Sequence, residues 1–141
     1  MNTKYFFMQR DSKSCGCCIL CTVLKKNGLP GVIFSVGDKG TSSKRILFEL
    51  RKAGLIAVSK TISICNLRPW SILWYPPRSN DNGDHYVVVG EIADGKALIY
   101  DSEKKAPYWL QLSALKKKWY KLYSGRWRGW VIETKKPAGE K

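Results

Sequence analysis

Residues 85 to 101, HYVVVGEIADGKALIYD, constrain the fold more than any other stretch of the chain. The Val-Val-Val run favours a pleated, buried strand, and Asp94-Gly95 suits the tight turn of a two-residue hairpin, whose central positions take positive φ. A second apolar run, Ala97 to Tyr100, follows directly. The segment reads as an antiparallel hairpin whose first strand, His85 to Ile92, is buried. Such a hairpin returns the chain to the end at which it entered, so His85 and Asp101 are expected to be neighbours at one end of a sheet.

The first half carries helical signals. Cys15 to Lys26 is an apolar segment preceded by the capping hydroxyls of Ser12 to Ser14 and closed by Asn27-Gly28-Leu29-Pro30, which predicts a buried helix with a glycine stop. Thr41, Ser42 and Ser43 can cap a second helix, in which Ile46, Leu47, Leu50 and Ala53 recur at helical spacing before Gly54. A short strand is expected at Tyr5 to Met8. After it come Ile72 to Tyr75 as a strand, Pro76 to Asp84 as a polar loop, Ala114 to Tyr123 as a short basic helix after Ser113, and a last strand near Trp127 to Glu133. Helices first and antiparallel strands second make an α+β pattern, with the N-terminal helices packed on a C-terminal antiparallel β-sheet. At 141 residues the chain suits one domain, taken as 1–134, with a flexible basic tail at 135–141.

Four of the five cysteines, Cys15, Cys17, Cys18 and Cys21, fall within seven residues, and the fifth is Cys65. The odd count argues against a disulfide framework and for a reduced chain with a working thiol. A four-sulfur zinc site inside one helical run would point several thiols apart, so no metal and no cofactor are expected. Cys17, Cys18 and Cys21 read as small apolar residues of the helix. Cys15 differs, because a helix N-terminus stabilises a thiolate through its dipole and unpaired N–H groups. His85 is the only histidine, standing where a loop enters the apolar strand. A carboxylate at Asp101 would fix its tautomer and support its charged form. Gln9 precedes Cys15 by a few residues, and its amide, with the Cys15 backbone N–H, could form an oxyanion hole.

In these residues the sequence resembles the C39-type cysteine peptidases, papain-fold enzymes that remove leader peptides after a Gly-Gly pair. The likeness rests on Gln9, then Cys15-Gly16 opening a helix, then His85-Tyr86-Val87-Val88-Val89, then Tyr100-Asp101-Ser102, with a short helix and a Trp-containing strand over Leu112 to Trp127. It implies a papain-like fold, Cys15 as nucleophile, His85 as general base and then acid, Asp101 as orienter, Gln9 as oxyanion donor, and hydrolysis of a peptide or amide bond through a thioester.

Charge opens a second reading. Lys and Arg outnumber Asp and Glu by 25 to 11, a formal +14 shared between both halves of the chain. That field favours polyanions, acidic protein patches or anionic membrane surfaces. Lys116, Lys117, Lys118, Lys121, Arg126 and Arg128 interleave with Trp and Tyr, a mix suited to phosphates and exposed bases. The alternative is therefore a basic papain-like toxin domain of a bacterial competition system acting on RNA such as transfer RNA, with a cognate inhibitor or immunity protein; a third reading is a catalytically silent papain-like binding module. No segment is long and apolar enough for a membrane span. A soluble chain is expected, cytoplasmic, or secreted or delivered into a target cell as part of a larger protein.

Overall fold

The computed structural model describes residues 15–30, 42–76, 85–104 and 106–137, and within the first helix the side chains from Cys18 onward. Helix α1 spans Cys15–Lys26 and α2 spans Ser43–Lys52. Both stop as their sequences predict. Gly28 (φ 73°) and Gly54 (φ 97°) take the left-handed conformation after each helix. Leu29 N donates to Leu24 O and Gly28 N to Lys25 O, and the same pair of bonds recurs from Leu55 to Leu50 and from Gly54 to Arg51. This double bond pattern satisfies the last carbonyls, and each time a leucine follows the glycine to pack back on the core. Ser42 caps α2 by accepting from Arg45 N.

Seven strands form one sheet among the described residues: β1 (Ile56–Ile62), β2 (Ser71–Tyr75), β3 (His85–Ala93), β4 (Lys96–Tyr100), β5 (Tyr108–Gln111), β6 (Tyr120–Tyr123) and β7 (Arg126–Lys135). A 3-10 turn, Ile64–Asn66, lies between β1 and β2, and helix α3, Leu112–Trp119, between β5 and β6. The order across the sheet is β1-β7-β2-β3-β4-β5, with β6 attached to β7, and each pairing is antiparallel. The last strand thus inserts between β1 and β2.

Side chains alternate across the sheet and divide the core in two. On one face Ile72, Tyr86, Val88, Leu98 and Ile132 pack against Ile19, Leu20, Val23 and Leu24 of α1 and Ile46 and Leu50 of α2. On the other, Leu73, Val87, Val89, Ile99 and Val131 pack against Leu115 and Trp119 of α3. With helices on both faces, β3 is buried on both faces, which is why Tyr86 to Gly90 reads as a continuous run instead of an alternating one. Cys18 and Cys21 are half-buried at the margin of the core face of α1.

Four local readings change. The helix expected to run to Tyr123 ends at Trp119, and Tyr120–Tyr123 turns back as strand β6 against Arg126–Gly129. Ser124 (φ 48°) and Gly125 (φ 79°) are both left-handed, so Ser124-Gly125 makes the hairpin turn between β6 and β7. Second, α3 begins at Leu112 with Gln111 before it, so Ser113 lies within the helix and does not cap it. Third, β1 and β5 were not expected as strands. The last strand also extends further than expected, from Arg126 to Lys135. The expected strand Tyr5 to Met8 and most of the loop before His85 lie outside the described residues.

Trp119 anchors the far side. It is fully buried, its Nε1 donates to Trp130 O at 2.8 Å, and a Cβ on Gly129 would stand 1.9 Å from its ring. Only a glycine leaves room for the indole there.

Candidate active site

The hairpin of β3 and β4 pairs Val88 with Tyr100 and Val89 with Ile99, beyond which a bulge shifts the register toward the Asp94-Gly95 turn. The open end of that ladder brings the candidate residues together. His85 is the first residue of β3, and Asp101 directly follows β4. His85 Nε2 lies 3.0 Å from Asp101 Oδ1. Asp101 is nearly fully buried, and its side-chain partner is about one-fifth exposed. The same Oδ1 accepts from Glu103 N at 3.0 Å. Burial pushes the Asp101 carboxyl up, but the hydrogen bond and charge of His85, then the Glu103 N–H and the charge of Lys104, outweigh it and hold the group below its ordinary value. Asp101 is therefore a fixed carboxylate facing the Nε2 of His85, which orients the ring.

Tyrosines wall this pair. Tyr75 is the cross-strand partner of His85, and their rings lie 5.9 Å apart. Its hydroxyl is buried with no hydrogen-bond partner among the described residues, and burial, then Tyr108 and Asp101, push it far above its usual range. Tyr108 is pushed up to about 12 by burial and by Asp101. Both phenols stay neutral at any working pH. Neither was singled out from sequence, because their place beside Asp101 depends on the β2–β3 and β4–β5 pairings. Glu103 adds a second carboxylate, 3.8 Å from His85 Nε2 and half-exposed. His85, Asp101 and Glu103 place one donor each within 4.8 Å, the group among the described residues best able to gather a cation. The 3.0 Å bond between His85 and Asp101 already has the geometry of a hydrogen-bonded pair.

Cys15 is the first residue of α1, as expected, and no acidic residue occupies the first turn of that helix. Its side chain, and the whole of Gln9, lie outside the described residues. The cations expected to track phosphates divide between two places. Lys116, Lys117 and Lys118 are exposed in the last turn of α3, with Lys116 Nζ 5.2 Å from the Tyr120 ring. Lys121, Arg126 and Arg128 lie on the β6–β7 hairpin, with Lys121 over Trp74 at 5.3 Å. Lys121 also lines a cavity of about 310 Å³ with Ser43, Trp74, Tyr86, Tyr123 and Trp130, and a second cavity, about 460 Å³, lies beside β1.

A sheet with the first two helices on one face, and a histidine opening a strand beside the aspartate that follows its neighbour, is a papain-like α+β arrangement. The chain belongs to the Peptidase C39 family, whose model matches residues 3–124. It is thereby a cysteine peptidase-like hydrolase. Solved structures agree in fold. The peptidase domain of Streptococcus ComA, a bi-functional ABC transporter involved in a quorum sensing pathway, superposes with a TM-score of 0.74 at 18% identity, covering 93% of this chain and 97% of that one. A double glycine motif protease from an AMS/PCAT transporter, in complex with the leader peptide, gives 0.68 at 21% identity over 94% and 91%. The N-terminal peptidase C39 like domain of a toxin secretion ATP-binding protein from Vibrio parahaemolyticus gives 0.51 at 16% over 82% of each. No curated protein sequence matches the chain significantly. No helix among the described residues is long and apolar enough to cross a membrane.

Proposed function

We propose that the chain cleaves a peptide bond with Cys15 as nucleophile, His85 as general base and then acid, Asp101 as orienter and Gln9 as oxyanion donor. The observation that carries this reading is the 3.0 Å bond from His85 Nε2 to the buried Asp101. With Nε2–H held there, Nδ1 takes the Cys15 thiol proton, giving a thiolate and an imidazolium. The dipole of the 12-residue α1 supports the thiolate at its N-terminus. The sulfur attacks the carbonyl carbon, and the oxyanion is met by the Gln9 amide and the Cys15 backbone N–H. Collapse breaks the C–N bond, with His85 donating its proton to the leaving amine. Water, deprotonated by His85, then hydrolyses the thioester and regenerates the thiol.

The likeness to a protease that handles a double-glycine leader supports a peptide substrate presenting small residues on its acyl side. Nothing among the described residues favours an RNA-directed toxin over this peptidase. The test is competitive alkylation: with iodoacetamide near neutral pH, Cys15 should label ahead of the other four cysteines, and His85→Ala should slow it. Uniform labelling of all five in peptide mass mapping would remove Cys15 as nucleophile.

A further inference from the structure

The β6–β7 hairpin projects past the rest of the sheet. β1 pairs with β7 only from Gly129 to Lys135 and β2 only at Val131 and Ile132, so residues 126–128 pair with β6 alone. On this ribbon Leu122 stands opposite Trp127. Partners directly opposite share a face, so the two form one apolar pair, yet they are 50% and 64% exposed. The peptidase reading uses neither.

Charge surrounds the pair. From Lys104 to Ile132 the chain carries eight cations and no carboxylate. On the reverse face of the ribbon Lys121 lies opposite Arg128, a like-charge pairing that costs the isolated hairpin stability. On the Leu122 face, Lys116, Lys117 and Lys118 lie exposed at the end of α3, which packs on that side of the sheet. An apolar tip between cations has the form of an interfacial anchor: the indole and leucine sit at the headgroup boundary and the cations meet anionic lipid. A nucleic acid fits less well, because Leu122, half of the exposed pair, offers no ring for a base to stack on.

We propose that the tip of the β6–β7 hairpin, with the lysines of α3, docks the chain on an anionic lipid bilayer. The test uses the full chain and vesicles of phosphatidylcholine with and without phosphatidylglycerol. The chain should sediment with the anionic vesicles and not with the neutral ones. Lys116→Gln/Lys117→Gln/Lys118→Gln should weaken binding about fivefold per cation. Leu122→Ser/Trp127→Ser, whose sites are exposed and whose fold is checked by circular dichroism, should weaken it about tenfold while leaving the charge unchanged. Bromine-labelled acyl chains should quench tryptophan emission in the parent and less so in Trp127→Phe. Three results would overturn the proposal: equal binding to neutral vesicles, a double variant that binds like the parent, or equal quenching in Trp127→Phe. Transfer RNA that binds in a Trp127-dependent way and displaces the vesicles would overturn it too, and assign the surface to nucleic acid.

Discussion

Replacing Asp101 by Asn keeps the shape of the side chain and removes its charge, and the structure sets how large the effect should be. Both donors that reach Asp101, His85 Nε2 and Glu103 N, converge on the same Oδ1 at 3.0 Å each. An asparagine amide would therefore be locked with its oxygen toward them, since the reverse orientation would set its NH₂ against the Glu103 N–H. The imidazole keeps its tautomer and loses only the charge assistance. A hydrogen bond to a charged group contributes about 1.5 to 3 kcal/mol and a neutral one about 1 kcal/mol. The difference, about 1.4 kcal/mol, corresponds to about tenfold in the balance between the thiol–imidazole and thiolate–imidazolium pairs. Asp101→Ala removes the acceptor entirely, leaves a donor of His85 unsatisfied and frees the ring, which should cost about 3 kcal/mol, roughly a hundredfold. The assay is the rate of Cys15 alkylation against pH. At pH near 6 the parent should react fastest, Asp101→Asn slower by up to about tenfold and Asp101→Ala by up to about a hundredfold, and the three should converge above the ordinary thiol value of about 8.5. A thousandfold loss in Asp101→Asn would show that the amide does not hold the tautomer, and an unchanged profile in Asp101→Ala would show that Asp101 does not act through His85 at all.

Two further outcomes follow from the same geometry. Asp101 is held below its ordinary 3.8, so it contributes stability that is present above that value and is lost as pH falls through its lower folded value. Urea midpoints at pH 7 and in the acid window below 3.8 should accordingly fall further for the parent than for Asp101→Asn, and equal losses would contradict the depressed carboxyl. Gly129→Ala would place a methyl 1.9 Å from the Trp119 ring and disturb its bond to Trp130 O. Overpacking plus a strained buried donor should cost about 3 kcal/mol or more, read as a drop in urea midpoint with little change in Cys15 alkylation of the folded fraction; a stability within about 0.5 kcal/mol of the parent would refute the tight packing at that glycine.

What the sequence determined by itself was what short-range chemistry can fix. Ser42 and the two glycines placed the ends of α1 and α2, because caps and left-handed stops act within a few residues. Asp94-Gly95 fixed the β3–β4 hairpin and brought His85 and Asp101 to one end of the sheet, while the bulge between Val89 and Ile92 shifts the register by one residue and so sets both side chains on the same face. Tyr120 to Tyr123 shows the opposite case. Its lysines and aromatics suit a helix as well as a strand, and the choice fell to the strand because Trp119 is pinned beneath Gly129 and the segment can pair with Arg126 to Gly129. β1, IAVSKTI, has little apolar signal of its own and exists by pairing over seven residues with β7, more than sixty positions away. The walls of the site were likewise settled by tertiary structure. Tyr75 and Tyr108 reach Asp101 from strands on either side of the β3–β4 hairpin, and the insertion of β7 between β1 and β2 completes the sheet that carries them. Such contacts depend on which distant strands meet, and no local pattern of side chains encodes that, because the energy that selects the pairing is the burial of the whole sheet between its helices.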